Sequence, residues 1–260
     1  EEEDERPFVL SIEQCALISK LMDWLIDPAI SFVRKKCKEV INCLDQQLAI
    51  GCMRFMESMF AEIMYKDPTI KKSRSKDEAN KIELTNSKIE CVFLFSLVWS
   101  VGAVTDDMGR AAFNAFLQEF MQDYKIIERP ELKGVNTLLL LLEWKCPIEG
   151  TYQWEKPMPA LLATKDTDNG SVYDFCYEYK TDEWKTWHDK LPTGNISPDA
   201  EFSSIVVPNL VTAQLGQLLD LLIRYENPTL VVGPTGTGKS VFIKEVLSHH
   251  LDQNIYKAIA

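Results

Sequence analysis

One stretch decides the fold of this chain: Pro228-Thr-Leu-Val-Val232, then Gly233-Pro234-Thr235-Gly236-Thr237-Gly238-Lys239-Ser240, then Val241-Phe-Ile-Lys244. The middle eight residues match G-x-x-x-x-G-K-[ST], the phosphate-binding P-loop, which joins a strand to a helix. The apolar run before the loop predicts the strand, and the residues after it predict the helix. The sequence therefore predicts a nucleotide-binding site formed by residues 233–240.

The residue types in this loop suit the chemistry of a nucleoside phosphate. The glycines at positions 233, 236 and 238 let the backbone curl, so that amide hydrogens near Gly238 converge on the phosphates at a helix N-terminus. Lys239 is predicted to reach the β- and γ-phosphate oxygens, and Ser240 to offer its hydroxyl to Mg²⁺. The predicted cofactors are ATP or ADP with Mg²⁺, and the predicted metal ligand is Ser240.

Hydrolysis needs more than these groups, because a carboxylate must hold Mg²⁺ and another residue must orient water. The only acids after Ser240 are Glu245 and Asp252, and both are expected on or just after the P-loop helix, pointing away from the phosphates. We therefore predict no catalytic residue and no significant turnover by this chain alone. We interpret the chain as part of a larger protein.

Composition excludes several classes of protein. The 260 residues are 46% apolar, enough for a core, and the net charge of −11 does not suggest a partner such as nucleic acid. The longest nearly apolar stretch, Cys91 to Val104, has 14 residues, whereas a membrane helix needs about 20. Seven cysteines without a C-x-x-C pair predict reduced, packed thiols rather than disulfides or a zinc site. No membrane or nucleic-acid partner is predicted.

Most of the first half of the chain has helical periodicity. Apolar spacing from Ile12 to about Tyr65 predicts two or three helices, one of them beginning at Asp27 and Pro28 with its charges Arg34 to Lys38 in solvent. Residues 66–88 are polar and predict a mobile loop. The further predictions are methionine-filled packing along a helix from Asp45 to Ile63, and helices over Ser87–Val101 and Asp106–Tyr124.

Beyond residue 125 the helical periodicity gives way to prolines, tryptophans and short aromatic runs. Val172 to Tyr179 alternates like a strand, Trp184 and Trp187 fit a short helix or turn, and prolines at 192 and 198 mark a linker. The predicted fold class is mixed α/β and mostly helical: a small helical subdomain, a connector and a truncated P-loop α/β core. The predicted domains are 1–130, 131–202 and 203–260.

Several separated motifs, in order, resemble one family. The P-loop with Ile205-Val206-Val207-Pro208 before it resembles the start of the third AAA+ module in the motor ring of an axonemal dynein heavy chain. The segment from Phe93 to Gly102, followed by Asp107 and Arg110, resembles the helical small subdomain of the second module, as does the segment from Trp24 to Glu39. Val172 to Phe175 with Trp184 and Trp187 is similar to the segment that connects modules.

This resemblance implies a fragment of an ATP-hydrolysing microtubule motor of cilia or flagella, found in the cytoplasm, cytoskeleton and axoneme. It makes the P-loop a regulatory site, with the principal hydrolytic site in the first module, outside this chain. Neighbouring AAA+ modules are implied partners, and microtubules and intermediate or light chains would bind elsewhere. It also places Val207, Pro208 and Asn209 against the adenine, although the family usually has threonine where this chain has Asn209.

Two other functions fit the residues less well. A small-molecule or nucleoside kinase with a P-loop would need its fold completed by residues 1–190, which look helical. A helical interaction scaffold with a vestigial P-loop would not need the intact Lys239 and Ser240. Nucleotide binding distinguishes the scaffold from the other two.

Overall fold

The structure is a computed structural model that describes residues 10–65, 84–121, 152–162, 169–191, 209–233, 235–251 and 256. The chain forms two compact units, Glu1–Trp184 and Lys185–Ala260. The mobile loop predicted at 66–88 lies outside the described residues up to position 83, and so do the predicted linker at 192–198 and the start of the predicted third domain.

Within the described residues, the first unit contains four α-helices: α1 (Ile12–Lys36), α2 (Asp45–Tyr65), α3 (Asn86–Ser100) and α4 (Asp107–Met121). Helix α3 packs against both α1 and α2, and α1 also packs against α4. Nearly every residue of α3 is buried, so it forms the centre of the unit. The prediction of a mostly helical fold is confirmed.

Helix α3 and the turn after it are long and apolar enough to cross a membrane. The segment Asn86–Val104 has 19 residues and a mean hydropathy of 1.5. It is longer than the 14-residue apolar run, Cys91 to Val104, on which the exclusion of a membrane helix is based. However, 89% of its apolar window is buried inside the unit. Its apolar character is therefore that of a core helix enclosed by other helices.

Helix α1 continues through Pro28, so the prediction that a new helix begins there is wrong. A proline inside a helix removes one backbone hydrogen bond and costs about 3 kcal/mol. Here the residues on both sides of the proline are buried, including Leu25, Ile26, Ala29 and Phe32. The burial of these apolar side chains offsets the lost bond, and the helix remains continuous.

Two expectations about the surfaces of α1 and α2 are also wrong. The sequence predicts Arg34 in solvent, but its guanidinium pairs with Glu39 and Asp45, and the hydrogen bond to Glu39 raises its pKa. It also donates to the carbonyl oxygen of Cys43, so it closes the loop between the two helices. Along α2, Met56 and Met59 are buried as expected, whereas Met53 is 47% exposed.

A small two-stranded sheet follows the helices. Strand β1 covers Phe175–Glu178 and β2 covers Glu183–Thr186, while Val172–Asp174 forms a 3₁₀ turn, so the predicted strand is shorter than expected. Trp184 lies in β2 instead of a helix or turn, and Trp187 begins the 3₁₀ turn Trp187–Lys190. Strict alternation fails because Phe175, Cys176 and Tyr177 are all buried.

Gly102 is the most crowded of the described glycines in the first unit, and its replacement is our first prediction. A Cβ atom there would lie 2.5 Å from Oη of Tyr173 and 2.7 Å from Cε1 of Phe113. We expect Gly102→Ala to lower the free energy of unfolding by about 1–3 kcal/mol, the usual cost of overpacking. Urea unfolding followed by tryptophan fluorescence would measure this.

Gly51→Ala is the matched control for Gly102→Ala. A Cβ atom at Gly51 would lie 3.6 Å from Cβ of Ser100, an ordinary contact. Gly51 lies inside α2, where alanine is favoured over glycine by about 1 kcal/mol, so this variant should be at least as stable as the parent. Equal destabilisation by both substitutions would contradict the packing around Gly102.

Six cysteines within the described residues are free thiols. Burial raises the pKa of Cys37, Cys52 and Cys91 to about 12. These thiols stay protonated at neutral pH and pack as small apolar side chains.

The second unit contains α5 (Leu210–Arg224) and α6 (Lys239–Glu245), which continues as one π turn, Val246–His250. Helix α5 packs against that turn and against the 3₁₀ turn that carries the fully buried Trp187. Residues 228–232 form no strand, in contrast to the prediction. A strand requires a partner for its ladder hydrogen bonds, and no described residue pairs with this segment, which leaves Leu230 81% and Val232 48% exposed.

Candidate phosphate-binding loop

Two glycines in the loop have backbone angles that other residues rarely adopt. The φ angle is +83° at Gly236 and +75° at Gly238. Gly238 is also the N-cap of α6, and its carbonyl oxygen accepts the first helical hydrogen bond, from the amide of Phe242 at 2.9 Å. The glycines are therefore required by the path of the backbone as it turns into the helix.

The same glycines border open space. A Cβ atom at Gly236 or Gly238 would meet nothing within 4 Å. In contrast to Gly102, neither glycine is needed to avoid a steric clash within the protein. The absence of side chains leaves the loop backbone accessible to a group as large as a phosphate, so these residues fit that ligand.

Lys239 lies back over the loop. A Cβ atom at Gly233 would be 3.4 Å from Cδ of Lys239 and 3.9 Å from its Nζ. The ammonium group donates to Oγ1 of Thr237 at 3.2 Å. The positive charge therefore lies beside the first and the fifth residue of the loop, where it would meet an anion held by the loop backbone.

The start of α6 has no side-chain cap, because its N-cap residue is Gly238. No N-cap side chain accepts hydrogen bonds from the first helical turn, so its amide N–H groups can donate to an anion outside the helix. Ser240 lies in this turn, next to Lys239, whereas Glu245 lies at the far end of α6. Within the described ranges, no three His, Cys, Asp or Glu side chains are grouped to hold a metal ion.

The structure describes some of the other predicted site residues and not others. Thr235 and Thr237 lie in the loop, but Pro234, Val207 and Pro208 lie outside the described residues. Asn209 is the N-cap of α5: its Oδ1 accepts from the amide of Thr212 at 2.9 Å, and its own amide donates to Oγ1 of Thr212 at 2.9 Å. Its side-chain oxygen is thus used in a capping box that the pattern Asn-x-x-Thr would have indicated.

An apolar cavity of about 600 Å³, which the sequence did not predict, lies within the second unit. It is lined by Leu219 and Ile223 of α5, by residues 226–231 and by Ile243 of α6. No periodic pattern links these three segments, so only the folded chain brings them together. Its lining is largely aliphatic, which suits apolar side chains better than phosphate.

Two dynein family models match most of this chain. Residues 18–189 match the family described as "Dynein heavy chain AAA lid domain", and residues 194–260 match "P-loop containing dynein motor region". The chain is 30% identical over 248 residues to dynein axonemal heavy chain 12 of Rattus norvegicus and 28% identical over 247 residues to that of Mus musculus. It is 31% identical over 227 residues to dynein axonemal heavy chain 1 of Homo sapiens.

These alignments cover most of this chain but little of each relative. They include 94% of the chain for the two rodent proteins and 87% for the human protein. The chain spans only 5–7% of the length of these relatives. The first family match covers most of the first unit and the second contains the whole loop from Gly233 to Ser240, and together they establish that the chain belongs to the dynein heavy chain family.

Proposed function

We propose that this chain contributes a nucleotide-binding site to the AAA+ motor ring of an axonemal dynein heavy chain, and that it spans the end of the second module and the start of the third. One observation carries the proposal. The loop that matches the dynein P-loop region has two left-handed glycines bordering open space and a lysine lying over its first residue. This arrangement leaves open space for a phosphate group beside a positive charge.

The proposed ligands are ATP or ADP with Mg²⁺. The backbone from Gly233 to Gly238, including Pro234, Thr235, Gly236 and Thr237, would surround the phosphates. Lys239 would neutralise them and Ser240 would bind the metal ion. Val207, Pro208 and Asn209 would lie near the adenine, with the Oδ1 atom of Asn209 already used as the cap of α5.

The proposed domains are a helical lid at 1–130, a connector at 131–202 and the start of the next P-loop module at 203–260. The two family matches meet between residues 189 and 194, and the two compact units meet at residues 184 and 185. Both observations support a change of domain before residue 203. Further strands of the third module would then cover residues 228–232 and the apolar cavity beside them.

The parent protein is proposed to be an ATP-hydrolysing microtubule motor of the ciliary or flagellar axoneme. The names of the relatives, axonemal dynein heavy chains, support this proposal. This site would be regulatory: nucleotide at Lys239 and Ser240 would bias the packing of neighbouring AAA+ modules. Contacts with microtubules and with intermediate or light chains would belong to other parts of the motor.

Binding and turnover by the 260-residue chain test this function. We expect saturable binding of labelled ATP and ADP, strengthened by Mg²⁺, without phosphate release above that of Lys239→Ala, since the described residues form no cluster of three metal-binding side chains. Ser240→Ala should abolish the effect of Mg²⁺ on binding, whereas Ser19→Ala, an exposed serine on α1, should not. Nucleotide binding that Lys239→Ala leaves unchanged, or turnover that depends on Lys239, would contradict the proposal.

A further inference from the structure

A second pocket, of about 330 Å³, lies in the first unit between α4 and the residues just before β1. Arg110 and Asn114 of α4 line one side of it, and Ser171 and Tyr173 line the other. The proposed nucleotide site uses none of these residues. Their donor groups indicate what the pocket would bind.

Arg110 is held in place but lacks an anionic partner among the described residues. Its guanidinium carbon lies 5.3 Å from the centre of the Tyr173 ring. Its Nε is shielded from solvent and has no hydrogen-bond partner. An arginine carries five N–H donors in a planar fork, and burying one without an acceptor is unfavourable. No described residue forms an ion pair with Arg110, so its guanidinium keeps donors for an anion.

The ring under Arg110 is itself fixed. The hydroxyl of Tyr173 donates to the carbonyl oxygen of Gly102 at 3.0 Å, and its ring packs edge-on against Trp99 with centroids 5.8 Å apart. This anchoring limits the positions that the stacked guanidinium can adopt. Arg110 is therefore positioned before any ligand arrives.

Two more donors line the pocket. Oδ1 of Asn114 accepts from the amide of Val172 at 2.9 Å, which fixes the side-chain amide and leaves its NH₂ group as donor. Oγ of Ser171 accepts from the amide of Tyr173 at 3.3 Å and keeps its own hydrogen to donate. An arginine fork, an amide NH₂ and a hydroxyl around one small cavity are typical of oxyanion recognition.

One negative charge limits which oxyanion fits. Asp107 also lines the pocket, one helical turn before Arg110, and its carboxylate is exposed. Because the Asp107 carboxylate repels any anion beside Arg110, a monoanion is disfavoured less than a dianion such as phosphate at neutral pH. We propose that this pocket binds a carboxylate group, supplied either by an aspartate or glutamate side chain of a neighbouring segment or by a small free carboxylic acid.

Titration of the 260-residue chain with carboxylates would test this, using the ¹H–¹⁵N signal of the Arg110 Nε–H. The ligands are acetate, N-acetyl-glutamate amide and inorganic phosphate at constant ionic strength. Both carboxylates, or acetate alone, should shift this signal at lower concentration than phosphate does. Tighter binding of the blocked glutamate would identify a protein side chain as the source, and binding of acetate alone would identify a free acid.

Three variants separate the roles of the charges. Arg110→Lys keeps the charge but loses the fork, and should weaken carboxylate binding by about tenfold or more. Asp107→Asn should strengthen it by about two- to fivefold, because one repulsion is removed. Arg54→Lys, at an exposed arginine on α2, should change nothing. Circular dichroism would verify that each variant is folded.

Three results would overturn the carboxylate site. The first is the lack of any shift with either carboxylate, and the second is phosphate binding at least as tightly as acetate. The third is binding that Arg110→Lys and Asp107→Asn leave unchanged, since the donors and the charge would then have no part in it.

Discussion

Replacing Lys239 with alanine is expected to weaken the binding of ATP or ADP to this chain by about 10- to 150-fold. The ammonium lies over Gly233 and against Thr237, beside the backbone that is proposed to surround the phosphates. A charge-assisted contact contributes about 1.5–3 kcal/mol, which corresponds to that range of affinity. Isothermal titration with Mg-ADP would measure the change.

Lys244→Ala is the matched control, because it removes an exposed lysine from the same helix without approaching the loop. Its affinity for nucleotide should stay within about twofold of the parent, since an exposed charge at this distance is largely screened. In a full-length heavy chain, Lys239→Ala should slow the motor and leave hydrolysis at other modules. Equal losses of affinity in the two variants would contradict this prediction, because the net positive charge of the region and not the position of Lys239 would then determine the affinity.

Replacing Phe116 with alanine is expected to lower the free energy of unfolding of the first unit by about 3–5 kcal/mol. Phe116 is 2% exposed and stacks on Phe32 of α1, with ring centroids 4.3 Å apart and planes 15° apart. It also packs against Phe113 and Phe120, so the substitution opens a cavity among aromatic rings that cannot easily collapse. Urea unfolding followed by tryptophan fluorescence would measure the loss.

Met108→Ala controls for the change of residue in α4, because Met108 is 83% exposed. This variant should unfold within about 0.5 kcal/mol of the parent. If Phe116→Ala were equally mild, the contact between α1 and α4 would not hold the unit together as the structure indicates.

Local sequence patterns predicted the elements that depend on local physics. The helices over Asn86–Ser100 and Asp107–Met121 begin within one residue of the predicted positions, because capping residues and apolar spacing determine where a helix starts. The motif from Gly233 to Ser240 predicted the turn into α6, since left-handed glycines and an uncapped helix start are properties of the motif itself.

The errors lie where distant residues decide the outcome. By local rules a new helix begins at Pro28, but the buried residues on both sides of it hold α1 together. Residues 228–232 have the composition of a strand, yet a strand also needs a neighbour with which to pair. The pocket around Arg110 could not be predicted for the same reason, since Arg110 and Tyr173 are 63 positions apart in the sequence and meet only after folding.

The most direct test of the central claim, that residues 233–240 bind nucleotide phosphates, is a ¹H–¹⁵N spectrum of the chain titrated with Mg-ADP. We expect the largest shifts at the amides of Gly236, Gly238, Lys239 and Ser240, with saturation at the concentration seen by calorimetry. Saturable binding that leaves these four amides unchanged while signals elsewhere move would contradict the claim.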